Sequence, residues 1–141
     1  MPFRLKRIPT GERQEKYRIY AVCSERGDCE LEEFLADWPH HNTALLRCIA
    51  DAARLGPMTL TSSRSHFMDQ SNKIYEFIGG RLRVGYFLDS ERIVICTHGF
   101  LKQSGETPKK EKQTAGKAKR GYFEAKERGD CVFIEPPEGE Q

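Results

Sequence analysis

Three consecutive segments with the residue pattern of β-strands occupy the centre of the chain and constrain its fold most. They are KIYEFIG (73–79), RLRVGYFLD (81–89) and RIVICTHGF (92–100), all rich in β-branched and aromatic residues. Gly79-Gly80 lies between the first two segments, and Gly-Gly is a favoured hairpin turn. Asp89-Ser90-Glu91 lies between the second and third. Strands joined by turns this short pair antiparallel, so the sequence predicts a three-stranded antiparallel meander.

The flanking segments predict one further strand and three helices. YRIYAVCS (17–24) alternates as a strand does, and two amphipathic segments follow before a polar loop over 59–72. A last helix is predicted to begin with Thr107 as its N-cap and Pro108 at its first position. The order β-α-α-β-β-β-α predicts an α+β domain: an antiparallel sheet with a helical pair on one face and a C-terminal helix.

Length and composition predict one domain. We expect an N-terminal extension over 1–16, the domain over 17–128 and an acidic tail over 129–141, the tail being either a short extra strand and loop or disordered. No apolar run approaches the roughly 20 residues that cross a bilayer, and no signal peptide is recognisable. The sequence therefore predicts a cytoplasmic protein with no membrane partner. The five cysteines are scattered without a CxxC pair, which argues against a disulfide framework and against a metal site.

Strand periodicity assigns the two faces of the middle strand of the meander. Its apolar face is predicted to pack on the helices: Leu82, Val84, Tyr86 and Leu88. Arg81 and Arg83 share the opposite face, which we expect to be open to solvent, as one face of an antiparallel sheet often is. Solvated arginines are the simplest interpretation of that face.

A basic segment follows the third strand. Residues 101–128 contain nine Lys or Arg against four Glu, interleaved with Gln103, Tyr122 and Phe123. Such a segment suits a surface that contacts phosphates, although a solvated helix face has the same composition.

The order of motifs in this region resembles the RelE/ParE toxin superfamily, and most closely its phage-derived HigB-like branch. The matching elements are Tyr75-Glu76-Phe77, Arg83-Val84-Gly85-Tyr86, His98-Gly99-Phe100-Leu101-Lys102-Gln103 and Thr107-Pro108. The two upstream helical segments are also similar to the paired helices of that superfamily. The resemblance covers roughly residues 17–125 and implies a RelE-like fold.

The resemblance implies a type II toxin that cuts mRNA on the ribosome and is neutralised by a cognate antitoxin, expected to be a small helix-turn-helix protein. The implied endoribonuclease needs neither metal nor other cofactor, because the RNA 2′-hydroxyl attacks the adjacent phosphate. Arg83 and Lys102 are the predicted catalytic phosphate contacts, and His98 is the predicted proton-transfer residue. Backbone contacts to RNA or ribosome are expected from the other nearby cations: Arg81, Lys73, Lys109, Lys110, Lys117 and Lys119.

A non-catalytic function is the alternative from the same residues. Ile78 stands where the family usually has an arginine, and Gln103 where it often has a second lysine. Each departure removes a cation from the expected RNA-facing surface. The alternative is therefore a gyrase-poisoning toxin of the same superfamily, or a phage-derived module that binds nucleic acid or protein.

Overall fold

The structure is a computed structural model and describes residues 2–136. Within that range the chain forms, in order, β1 (Phe3–Arg7), β2 (Arg18–Val22), α1 (Glu30–Asp37), α2 (Thr43–Leu55), a 3₁₀ turn (Pro57–Thr59), β3 (Ser65–Asp69), β4 (Ile74–Gly79), β5 (Leu82–Asp89), β6 (Ile93–Leu101), α3 (Lys109–Glu127) and β7 (Cys131–Ile134). The α+β class and the helical pair are as predicted.

The sheet is mixed, so the prediction of a purely antiparallel sheet is wrong. Its strand order is β3-β4-β5-β6-β2-β1-β7. The predicted meander is present as β4, β5 and β6, but β2 pairs parallel to β6, and β1 pairs parallel to β7. The cause is the path of the chain. After β2 the helical pair carries it across the sheet to the far edge, and four alternating strands then return β6 to lie beside β2 in the same direction.

Three segments besides the four predicted strands of the domain join this sheet, one of them in the tail, where a short extra strand was one of the two alternatives. Residues 3–7 of the expected extension form β1, with Leu5 fully buried. Cys131–Ile134 of the expected tail form β7, and residues 137–141 lie outside the described range. The interpretation of 59–72 as a loop throughout is wrong, because Ser65–Asp69 form β3. A register shift between Phe67 and Asp69 interrupts the alternation that normally reveals a strand.

The apolar face of β5 packs on the helical pair, as its periodicity predicts. Leu82, Val84 and Tyr86 are buried in the core cluster that α1 and α2 cover, and Leu88 packs at its margin. The turn that precedes β5 lies one residue later than predicted, because Gly79 stays in β4. A Cβ atom at Gly79 would lie 2.4 Å from the backbone nitrogen of Leu45, so only glycine lets α2 approach β4 this closely.

The opposite face of the sheet is covered by α3, so the expectation of a solvent-open face is wrong. Phe87 is fully buried there with Tyr122 of α3. At Gly85, a Cβ atom would lie 2.6 Å from Thr97 Oγ1 and 3.7 Å from the Cβ of Ala115. The small and aromatic residues of α3 therefore bury this face of the sheet.

Candidate functional site

Polar side chains form a row across four strands beneath the N-terminal end of α3. His66 of β3 is paired with Glu76 of β4, which is paired with Gly85 of β5. Val84 and Tyr86 pair with Gly99 and Cys96, so two residues of β6, Thr97 and His98, lie opposite Gly85. Such a bulge redirects side chains and is common beside functional sites.

Glu76 is the centre of this row and is completely buried. Its carboxylate lies 3.3 Å from Nε2 of His66 and accepts long hydrogen bonds of 3.4 and 3.5 Å from the hydroxyl of Thr107. The Nε atom of Arg83 lies 4.0 Å from the same carboxylate. A buried carboxyl group is costly without such partners, so the surrounding groups compensate the burial of Glu76.

Arg83 is held beside Glu76 by the backbone of the β4–β5 turn. One terminal nitrogen donates to the carbonyl oxygen of Gly80 at 2.6 Å and to that of Leu82 at 3.1 Å, and 12% of the side chain is exposed. Burial lowers the pKa of Arg83 from its ordinary value, and the attraction of Glu76 opposes that shift. A guanidinium keeps its charge despite such a shift.

The Nε–H of Arg83 is buried and makes no hydrogen bond within residues 2–136. An unpaired buried donor costs about 1–3 kcal/mol. The nearest acceptor is the Glu76 carboxylate, 4.0 Å away, so the Nε–H faces the interior of the site rather than a ligand. The site thus contains a fixed cation beside a buried carboxylate.

His66 is the solvent-accessible member of the row, with 45% of its side chain exposed. Nδ1 lies 3.1 Å from the carbonyl oxygen of Ser62, and Nε2 faces Glu76. Both partners are acceptors, so an imidazolium can donate to both and a neutral ring to only one. His66 is therefore held at both ring nitrogens while one side of its ring stays open to solvent.

His98 is buried, with 4% of its side chain exposed. Nδ1 lies 3.0 Å from the Thr97 hydroxyl, and Nε2 lies 3.1 Å from a carboxylate oxygen of Glu111 on α3. The ring also stacks on Phe100, with centroids 5.4 Å apart. A neutral ring satisfies both bonds by accepting from Thr97 and donating to Glu111. His98 therefore joins β6 to α3.

The other predicted catalytic residue, Lys102, follows directly after β6. Its backbone nitrogen donates to the carbonyl oxygen of Arg81 at 2.8 Å. Arg81 is exposed and Lys102 is partly exposed. The structure therefore brings Arg81 and Lys102 together where β5 begins, close in sequence to Arg83.

The predicted RNA-binding lysines fall into two groups. Lys119 Nζ donates to the carbonyl oxygen of Asn72 at 2.7 Å, next to Lys73 in the β3–β4 turn. Burial and repulsion from Lys73 lower the pKa of Lys119. Lys109 and Lys110 are exposed in the first turn of α3, and Lys117 is exposed further along it. The roles of these residues stay predictions.

Four residues of the site were not assigned a role from the sequence: His66 and Glu76 of the row, and their neighbours Thr107 and Glu111 at the start of α3. Thr107 does not cap α3 through its side chain. The N-cap is Pro108, the helix begins at Lys109, and the Thr107 hydroxyl bonds Glu76 instead. The available signal was Glu76, a carboxylate within an otherwise apolar strand segment.

No group of three or more His, Cys, Asp or Glu side chains in residues 2–136 is arranged to hold a metal ion. In the same range, no helix combines the length and the apolar character that a membrane span needs. All five cysteines are free thiols.

A family model described as "Phage derived protein Gp49-like (DUF891)" matches residues 33–120. The matched range is more than half of the chain and contains every residue of the row. The chain belongs to the Gp49-like family. That family lies in the RelE/ParE-like toxin clan, so the superfamily resemblance is confirmed at this level. The HigB-like branch stays a prediction. No curated protein shows a significant match to the chain.

Proposed function

We propose that this Gp49-like protein is the toxin of a type II toxin–antitoxin pair and cuts mRNA on the ribosome. The observation that carries the proposal is the contact of His66, Glu76 and Arg83 within the region matched by the family. A cation and a solvent-accessible proton-transfer group beside one fixed carboxylate are what RNA cleavage by the 2′-hydroxyl requires.

Arg83 stabilises the phosphate as negative charge accumulates on it. The carbonyl oxygens of Gly80 and Leu82 hold the guanidinium in place, and 12% of the side chain stays exposed. Donors fixed before the reaction stabilise a transition state without having to reorganise. Lys102 and Arg81, at the same end of the sheet, supply further positive charge to the RNA backbone.

His66 moves the proton. Its ring is exposed on one side and held on the other by Glu76, which keeps Nε2 oriented. His98, the histidine predicted from the sequence, has both ring nitrogens engaged beneath α3. It can reach substrate only if the N-terminal end of α3 moves away, so we assign proton transfer to His66 and the attachment of α3 to His98.

The lysines of α3 and of the β3–β4 turn bind ribosome or RNA through salt-sensitive contacts with phosphates: Lys73, Lys109, Lys110, Lys117 and Lys119. An antitoxin neutralises the protein by covering this cationic surface with an acidic segment, because opposite charges speed the association of two proteins and direct it.

Induction of the parent chain in a permissive bacterium tests the proposal. Growth arrest, relieved by the neighbouring gene, together with primer-extension stops within translated codons, is the expected result. With purified ribosomes, the upstream fragment should end in a 2′,3′-cyclic phosphate. In the same assay, Arg83→Lys should lose most of this cleavage. Its matched control is Arg26→Lys, because Arg26 is an exposed arginine in the loop before α1.

The same induction separates the alternatives. A DNA-damage response without mRNA cuts identifies a gyrase poison, and growth without either response identifies a binding module. Either result overturns the nuclease assignment.

A further inference from the structure

A ladder of stacked aromatic rings crosses the edge of the sheet beside the proposed site. Tyr86 of β5 stacks on Tyr75 of β4, with ring centroids 5.2 Å apart and 21° between the planes. Tyr75 stacks in turn on Phe67 of β3, at 4.6 Å and 20°. These separations match the spacing of neighbouring strands, about 4.8 Å, so the rings form one column perpendicular to the strands.

The inner end of the column is fixed in the core. Tyr86 and Phe77 are fully buried and stack on each other at 3.9 Å. The outer end is Phe67, which is 42% exposed. Because β3 is the last strand on this side of the sheet, the outward face of the Phe67 ring points to where a further strand would lie. A large apolar ring thus offers one free face in an orientation set by the ladder.

Phe67 is also the chain neighbour of His66. Consecutive side chains of a strand point to opposite faces, so His66 reaches Glu76 on the α3 side and Phe67 reaches Tyr75 on the α2 side. The two side chains therefore flank a single edge of the sheet. An RNA strand that passes over this edge can place a phosphate near Arg83 and a base of a different, non-adjacent nucleotide against Phe67.

The edge is better suited to RNA than to an added protein strand. The register shift between Phe67 and Asp69 interrupts the regular hydrogen-bonding edge that another strand would need. The exposed Lys73 lies in the adjoining turn and supplies positive charge. The carboxylate of Asp69, at the end of β3, accepts hydrogen bonds from Ser71 and Asn72 within that turn.

We infer that the outward ring face of Phe67 is a stacking platform for one nucleobase of the RNA substrate. The inference rests on the proposed function, since it places a base of the same RNA whose phosphate is bound at Arg83. Stacking on a preoriented aromatic ring is favourable for every base and gives modest preferences among them.

Phe67→Leu and Phe67→Tyr test the platform, because leucine keeps an apolar side chain without a ring and tyrosine keeps the ring. On ribosomes programmed with mRNA, Phe67→Leu should lower kcat/KM about 10-fold, within the range measured for loss of one stacked base. Phe67→Tyr should stay within about twofold of the parent. The thermal melt of Phe67→Tyr should match the parent, and Phe67→Leu should be less stable by no more than the contribution of one aromatic pair, because it loses the stack on Tyr75.

An mRNA with a single abasic nucleotide, moved stepwise past the cleavage site, identifies the stacked position. At one position, removing the base should slow the parent about as much as Phe67→Leu slows cleavage of intact RNA. At that same position, removing the base should not slow the Phe67→Leu variant any further. Equal losses in parent and variant at every position would overturn the platform. So would parental cleavage by Phe67→Leu.

Binding of a fluorescent single-stranded RNA separates failure of the platform from failure of the proposed function. If the parent cuts no mRNA but Phe67→Leu still weakens RNA binding about 10-fold, the platform stands and the nuclease assignment falls. If neither cleavage nor RNA binding responds to the substitution, the platform is wrong. If Phe67→Leu weakens binding only to the product of the neighbouring gene and not to RNA, the ring belongs to a protein interface and the platform is also wrong.

Discussion

The two histidine–carboxylate pairs on the α3 side of the sheet contain the same chemical groups in opposite surroundings. In the pair formed by His66 and Glu76, the histidine is exposed and the carboxylate is buried. In the pair formed by His98 and Glu111, the histidine is buried and the carboxylate is 20% exposed. Only the first pair therefore presents its imidazole to solvent.

The strand bulge and the edge of the sheet produce this difference. The bulge opposite Gly85 turns His98 towards α3, where Glu111 and Thr97 bind both of its ring nitrogens. His66 lies on the terminal strand β3, so one side of its ring meets no neighbouring strand. A histidine near a cation is thus a candidate for proton transfer only where the surrounding elements leave its ring accessible.

The largest effect should come from His66→Gln. We expect cleavage on ribosomes to fall about 100- to 10,000-fold, the usual contribution of general acid–base catalysis. Stability should change by no more than about 0.5 kcal/mol, because the side chain is substantially exposed. His40→Gln is the matched control, since His40 is exposed in the α1–α2 loop. A parental cleavage rate for His66→Gln would remove the exposed pair from the mechanism.

Arg83→Lys should have the next largest effect. Lysine keeps a positive charge near Glu76 but loses the fixed guanidinium donors, so we expect about a 100-fold loss of rate with a near-parental melt. Arg83→Ala is less informative, because it also leaves Glu76 without its cation and should cost about 1–3 kcal/mol of stability. Unchanged cleavage by a folded Arg83→Lys would show that the phosphate is bound elsewhere.

His98→Ala should act mainly on stability. Removing the buried ring breaks the link between β6 and α3 and leaves the Thr97 hydroxyl without its partner, at a cost of about 2 kcal/mol. Urea denaturation measures this loss of stability. Glu111→Gln should cost less, because an amide oxygen can still accept from Nε2. A His98→Ala variant as stable as the parent would contradict the structural role.

Lys119→Met should have the smallest effect. The Lys119 ammonium bonds a turn carbonyl, so its loss should cost no more than about 0.5 kcal/mol of stability. RNA binding should become less salt-dependent, with the slope of log K against log salt reduced by about 0.7 for single-stranded RNA. Binding titrations at several salt concentrations measure this slope. Lys117→Met is measured in the same way for comparison, because Lys117 lies on the same helix. An unchanged slope would exclude Lys119 from the RNA contact.

The sequence predicted the parts of the fold that depend on local periodicity. The alternation in β5 placed Val84 and Tyr86 against the helical pair. The sequence also predicted a C-terminal helix. It did not show which sheet face that helix covers, because one stripe of small and aromatic residues can pack on either face.

The site was less predictable, because its members meet through pairing between distant segments. Arg83 lies where its strand register places it, but Glu76 became a partner only through β4–β5 pairing, and His66 only through β3. The irregular register of β3 concealed that strand. The burial of His98 followed from the bulge in β6, which single-strand periodicity cannot reveal.

Single-turnover cleavage of mRNA on programmed ribosomes by His66→Gln and His98→Gln, compared at equal folded protein, tests the central claim most directly. We predict that His66→Gln loses at least about 100-fold in rate and that His98→Gln stays within about 10-fold of the parent. The reverse order would show that α3 opens and that the buried histidine transfers the proton, which would contradict the assignment of catalysis to the exposed pair.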